Sequence, residues 1–352
     1  MSIFNKKTPP TLGLDISSTA VKLILLSRSE SGVKVENFAV EPLPVGAVKD
    51  KVVVDTEAVS TAIARAVRRS GAKTKYCAVA VSGSSVMTKT ISLPSDLTDV
   101  ELESQIEIEA DQYIPYALDE VRRDFEVLGP SRRSADLVDV LLAACKTETV
   151  DMLIAAVEDS GLKVRVIDVE AYAIANAFEL IRHQDGISTD KTIAVVEVGA
   201  QQMGFIVLQG DRVIYSREHA FGANQLLEDI SRRYELSPEE ALVMLRGDDQ
   251  PDDFQQMVIE PFQHGVVQQI GRALQFYSSS NDFKTVETLF LAAGGAQITG
   301  LEQVISDELG ISTEIADPVR GLALANNVAA NSLRTSAPSM MTACGLAMRG
   351  FD

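Results

Sequence analysis

Two segments end an apolar strand in a carboxylate and follow it at once with small or polar residues. In Thr11 to Val40 the carboxylate is Asp15, the run is Ser17-Ser18-Thr19, and Lys22 stands on the return strand. In Thr192 to Arg217 the carboxylate is Glu197 and the run is Gly199-Ala200-Gln201. A tight hairpin of this kind exposes backbone N–H groups that can hold phosphate oxygens as a nest. Two of them facing each other would grip a polyphosphate from both sides. Asp15 and Glu197 would then hold the waters of a hydrated Mg²⁺, and Lys22 would reach β- or γ-phosphate oxygens. Each hairpin alone is ordinary strand punctuation; the pairing, in register, is what points to phosphate.

Other residues carry two readings each. Gly294-Gly295-Ala296 follows the apolar run Thr288 to Ala293, so backbone can approach a flat ligand there, or the chain simply turns from strand to helix. Glu240 stands three residues after Ser237 in Ser237-Pro238-Glu239-Glu240, where it completes a capping box or lies beside a nucleoside. Glu170 opens a small-residue helix between the two hairpin segments. It can orient a hydrolytic water, or favour a helix N-terminus electrostatically. Thr342 to Ala347 is a second small-residue helix suited to close crossing, and packing accounts for Cys344.

The elements that must position these residues alternate between strand and helix. Asp55-Thr56-Glu57 starts a helix with Val59, Ile63 and Val67 at helical spacing, and Gly71 closes it. Tyr76 to Val81 reads as a strand buried on both faces. The texture changes near Met87: Met87, Lys89, Ile91 and Leu93 alternate as in a one-sided sheet. A capping box at Thr98 to Glu101 then opens a helix that Pro115 stops. Two strands, Val121 to Leu128 and Leu137 to Ala144, and a helix from Thr147 complete a small α+β insert. The hairpin unit recurs after it, so the chain has two similar halves.

Composition narrows the function classes. The 352 residues are 46% hydrophobic and 23% charged, enough for a sizeable core in two or three units. A net charge of -18 argues against non-specific binding to nucleic acid or an anionic lipid surface. The 3 Cys are far apart and the 3 His lack metal-ligand spacing, so a disulfide framework and a zinc hydrolase are both disfavoured. No signal peptide or membrane span is expected, which makes the chain cytoplasmic. Ile3-Phe4 beside Lys6-Lys7 reads as a frayed tail.

The motifs LGLDISSTAVK, VVEVGAQQ, LAAGG and TACGLAM resemble the two phosphate, adenosine and connecting-helix motifs of the actin/Hsp70/FtsA superfamily. More specifically, IEIEADQYIPYALDEVRRDFEVL, HAFGANQLLEDI and VVQQIGRALQF with TACGLAMRGFD resemble the PilM family of type IV pilus assembly proteins, from about Thr11 to the C-terminus. The resemblance implies an α/β, actin-like fold of two RNase H-like halves with an FtsA-type 1C insert. It assigns residues 1–85, 166–190 and 325–352 to the first half and 86–165 to the insert. Residues 191–225 and 286–324 fall in the second half, with 226–285 a helical subdomain. It implies ATP or ADP with Mg, bound by Asp15, Ser17, Ser18, Thr19, Lys22, Glu197, Gly199, Gly222, Glu240, Gly294, Gly295 and Ala296, with Asp15 and Glu197 on the metal through water and Glu170 as the catalytic candidate. The superfamily usually has Gly at Ser17, Asp at Glu197 and a hydroxyl near Met203, and related proteins carry a Lys near Leu245-Arg246; these departures imply slow turnover.

The implied partner is the N-terminal cytoplasmic peptide of the inner-membrane protein PilN, alongside other pilus machinery. From Thr90 to Val121 there are nine carboxylates and no Lys or Arg, and like charges such as Glu103 and Glu107 repel at i,i+4. A basic tail would relieve them and lay its apolar residues beside Ile106, Tyr113 and Ile114. A superfamily kinase and a filament-forming FtsA-like protein are the alternatives. The kinase lacks an evident general base, and FtsA usually ends in an amphipathic membrane helix.

Overall fold

The computed structural model describes residues 9–30, 32–131, 134–247, 249–280 and 285–351. Ile3-Phe4 and Lys6-Lys7 lie outside them. The first sheet starts as an antiparallel meander of Thr11–Ile16, Ala20–Ser29 and Gly32–Pro42. On its other side Thr11–Ile16 pairs in parallel with Tyr76–Val81, which pairs in parallel with Lys163–Val169. The short strand Ala323–Leu324 extends the far edge.

The second sheet repeats that order and those directions. Thr192–Val198, Met203–Gln209 and Arg212–His219 form the meander; Thr288–Ala292 and Ser312–Ile315 add in parallel on the other side. Continuous apolar runs suit such strands, because helices cover both faces and period-2 alternation is not required.

The layer between the sheets is two helices. Glu170–Asp185 sets Ile174, Phe178 and Ile181 against Ile24 and Val35 of the first sheet and Val195 and Phe290 of the second. Met341–Met348 crosses it so closely that a Cβ on Gly345 would lie 1.6 Å from the Ala173 carbonyl oxygen. Small residues are required here by contact of backbone with backbone.

Outside the first sheet, Thr56–Ser70 packs Val59 and Ile63 with Val150, Leu153 and Val157 of Thr147–Asp159. The Asp55 side chain caps the first of these helices, accepting from the Ala58 amide at 2.9 Å. Outside the second sheet, Ala223–Tyr234, Pro238–Arg246 and Glu260–Ser280 share one continuous core with Val196, Phe205 and Val207. Among the described residues, 226–285 therefore have no core of their own.

The insert is a separate antiparallel sheet, Val86–Pro94, Leu137–Lys146 and Val121–Pro130 with Leu137–Lys146 central. Helix Asp99–Tyr113 covers it, opened by the expected capping box of Thr98 and Glu101. Its core is Ile91, Leu93, Ile106, Ala110, Ile114, Val121, Val140 and Leu142, closed by Ala144. The expected insert boundary at 165 is too late. Helix Thr147–Asp159 buries its apolar face in the first core, and Lys163–Val169 belongs to the first sheet.

Candidate functional site

The first hairpin is built as its sequence suggests. Asp15 and Lys22 are partners in strand register, and the Lys22 ammonium meets the Asp15 carboxylate at 2.6 Å. Ser17 tightens the turn: its amide and hydroxyl both donate to the Ala20 carbonyl, at 3.0 and 2.9 Å. Among the described residues the Ser18 and Thr19 amides make no hydrogen bond, which leaves them for a ligand.

The second hairpin closes through the Gly199 amide, which donates to the Gln202 carbonyl at 3.0 Å. A side chain on Gly199 would press on that same oxygen at 2.7 Å, so glycine is needed. Helix Ala223–Tyr234 docks onto this turn. The Ala223 and Asn224 amides donate to the Gly199 and Ala200 carbonyls at 2.9 and 2.8 Å. Gly222 is the hinge of this docking, since a Cβ there would lie 2.4 Å from the Ala200 oxygen. Its lack of a side chain serves hairpin packing.

Between the hairpins stands a residue the sequence reading missed. The ribbon Val48–Lys49 and Val52–Val53 turns through Asp50 and Lys51, both left-handed at φ 47° and 59°. The Lys51 ammonium reaches Glu170 at 2.5 Å and Glu218 at 3.8 Å. Glu218, at the end of the second sheet's outer strand, also accepts the Ser82 hydroxyl at 3.0 Å and the Ser84 amide at 3.2 Å. The Asp50 amide donates to the Gln201 side chain at 3.2 Å. The first half thus clasps the second at three points. A two-residue Asp-Lys loop lacks the glycine that marks such a turn, so only the flanking valines hinted at it.

The clasp surrounds crowded carboxylates. Burial pushes the Glu197 carboxyl up to about 8, with the Glu170 charge adding to the rise and Lys51 and Lys22 opposing it. Glu170 is raised as well, by burial first and then by Asp15 and Glu218, against Lys51. Burial works against the Lys51 charge, yet Glu170, Glu197 and Glu218 together raise its pKa. Asp15, Glu170 and Glu197 thus act on one another electrostatically. Among the described residues, no group of three or more His, Cys, Asp and Glu is arranged to hold a metal directly.

The remaining candidates divide. A Cβ on Gly294 would meet nothing within 4 Å, whereas one on Gly295 would lie 2.4 Å from Val198. Gly294 offers open backbone, and Gly295 lets that turn pack on the second hairpin. Ala296 is fully buried in the second core, so its expected contact with a ligand is not available. Ala293, just before them, holds φ 66° and ψ -173°, a region almost reserved for glycine. The Glu240 carboxylate accepts from the Ser237 amide at 2.8 Å, completing the capping box. On the insert, Ile106 and Ile114 are core residues, which removes them from any partner groove. Tyr113 is exposed, as are Val100 and Ile108 on the same helix. Glu107 pairs with Arg123 at 2.8 Å, a cation supplied from the neighbouring strand.

Two sheets of one design, with their carboxylate-ended hairpins brought together at a clasped cleft, define an actin/FtsA-like α/β protein. The family model for the type IV pilus assembly protein PilM matches residues 13–351, and the chain belongs to that family. It is 25% identical to a chain in a solved PilM-PilN type IV pilus biogenesis complex, covering 98% of this chain and 99% of that one with a TM-score of 0.83. The ethanolamine utilization protein EutJ from Carboxydothermus hydrogenoformans shares the fold at 15% identity, over 97% of this chain and 89% of its own, with a TM-score of 0.59. So does the archaeal actin homolog Ta0583, in complex with ADP, at 12% identity over 97% and 99%, with a TM-score of 0.52.

Proposed function

We propose that the protein is a cytoplasmic nucleotide-binding scaffold of the type IV pilus inner-membrane assembly complex, and that it docks the N-terminal cytoplasmic tail of PilN. The observation that carries the docking is the near full-length likeness to a chain of the PilM-PilN complex. Among the described residues no helix is long and apolar enough to cross a membrane, so the partner would supply the link to the membrane. Each half is an RNase H-like unit, the first made of residues 9–85, 147–190 and 325–351 and interrupted by an insert at 86–146.

ATP or ADP with Mg fits the cleft. Among the described residues the Ser18 and Thr19 amides are without partners, Gly294 is open, and two buried polar atoms beside the second hairpin, Gln202 Oε1 and His219 Nε2, have none either. Asp15 and Glu197 would hold metal-bound water, Lys22 the phosphates, and Glu170 a hydrolytic water. Glu170 is tied to Lys51, and Glu197 tends to keep its proton. Both favour turnover far below the ~10 s⁻¹ median of enzymes. The exposed acidic face of helix Asp99–Tyr113, with Glu103 and Tyr113, is the surface for a tail bearing Lys or Arg.

The test is a pull-down of the full chain against synthetic PilN N-terminal peptides, with and without ATP·Mg, alongside calorimetry with the nucleotide alone. Retention of the peptide and a measurable heat for ATP·Mg are expected. Failure of the peptide to bind in either condition removes the scaffold reading; turnover near 10 s⁻¹ would replace it with an enzyme.

A further inference from the structure

We propose that Lys51 reads the terminal phosphate of a bound nucleoside triphosphate, an inference that rests on the cleft being a nucleotide site. The order of the second sheet sets the direction of the ligand. From Thr288–Ala292, which leads to the open Gly294, the strands run through Thr192–Val198 and Met203–Gln209 to Arg212–His219. Three steps at the usual strand spacing make roughly 14 Å, a span that an extended nucleoside triphosphate covers. A nucleoside at Gly294, with its phosphates over the hairpin at Gly199, sends its last phosphate toward Glu218. That is where the Lys51 ammonium sits, 3.8 Å from Glu218 and 2.5 Å from Glu170.

Charge makes the ammonium's present pairing exchangeable. Even with the proton on Glu197, the carboxylates Asp15, Glu170 and Glu218 outnumber the ammonium groups of Lys22 and Lys51, so an entering polyphosphate meets net repulsion unless a cation turns to it. Lys22, bonded to Asp15 across the strand pair at the first hairpin, lies at the inner phosphates and not at the far end of the ligand. Lys51 instead rides on a two-residue turn, and its side chain is 21% exposed. Two adjacent non-glycine residues at left-handed φ are costly, and such conformations persist where the placement of one group matters. On entry of a triphosphate the ammonium leaves the two carboxylates for a γ-phosphate oxygen. A diphosphate ends short of it and leaves the clasp in place.

The experiment is calorimetric titration of the full chain with ATP·Mg and with ADP·Mg, for the wild type, Lys51→Met and Lys51→Arg. Lys51→Met should weaken ATP about tenfold, the worth of one charge-assisted hydrogen bond, and leave ADP within about twofold. Lys51→Arg should keep the preference for ATP. Should Lys51→Met fail to fold, Lys51→Met/Glu218→Gln carries the same comparison with less stranded charge. Equal losses for ATP and ADP, or none for either, overturn the assignment of Lys51 while the nucleotide site stands. A wild type that binds neither overturns the nucleotide reading and this inference with it.

Discussion

The chain carries two acidic regions that could hardly be set more differently. On the insert helix the carboxylates of Glu103, Glu107 and Asp111 lie in water, and among the described residues the one cation paired with them is Arg123. In the cleft Asp15 and Glu170 are nearly enclosed, each held by an ammonium within 2.6 Å. The difference teaches that surroundings, not the number of carboxylates, decide what they do. Water screens the first group, which is left with long-range attraction for a basic partner. Burial sharpens the second until protonation and pairing become matters of stability.

Breaking one pair in each region is the strongest test of that contrast. Asp15→Ala strands the Lys22 ammonium, which is 13% exposed, and should cost about 3 kcal/mol in denaturant unfolding. Asp15→Ala/Lys22→Met should recover most of it, because no unpaired charge is then left. A single variant within about 0.5 kcal/mol of wild type would mean that the cleft pair behaves like a surface pair.

Acidity should separate the regions next. With its folded pKa raised from 4.5 to about 8, Glu197 binds more proton folded than unfolded between those values. Its favourable contribution is complete below pH 4.5 and is lost as pH rises through 8, with a slope of at most about 1.4 kcal/mol per pH unit. Glu170, also raised, acts in the same direction; Lys51 opposes both shifts, and Lys22 opposes that of Glu197. Unfolding midpoints across that range should fall for wild type and fall less for Glu197→Gln. Parallel slopes would place the relevant protons elsewhere.

On the insert, the reversal Glu103→Lys/Glu107→Lys should weaken binding of a basic tail peptide about tenfold at low salt and less at high salt. Unchanged affinity and salt dependence in a folded variant would make the acidic helix mere surface, and the groove would have to be sought elsewhere.

How far the sequence disclosed all this follows from locality. Both hairpins, the capping boxes and the small-residue crossing at Gly345 were legible, because each depends on residues a few positions apart or on a repeated pattern. The Lys51 clasp was not: its partners Glu170 and Glu218 are more than a hundred residues away, and its turn has no glycine to announce it. The insert boundary failed for a related reason. Helix Thr147–Asp159 has the same amphipathic pattern whichever core receives it, and only the tertiary fold chose the first. Ile106 and Ile114 were offered to a partner because apolar spacing on a helix does not say whether the buried face meets the chain's own sheet or another molecule.

The smallest effect should come from the insert's own ion pair. Arg123→Ala removes the partner of Glu107, but that carboxylate is 64% exposed and the guanidinium 34%. Water already solvates both charges, and two long side chains lose rotamer freedom to meet. A stability change of about 0.5 kcal/mol or less is expected, shrinking further with added salt. The same substitution frees Glu107 to attract a basic tail, so peptide affinity should rise slightly while stability barely moves. A loss beyond about 2 kcal/mol would show that the Glu107–Arg123 pair holds helix Asp99–Tyr113 against its sheet, making it the insert's counterpart of Asp15 and Lys22.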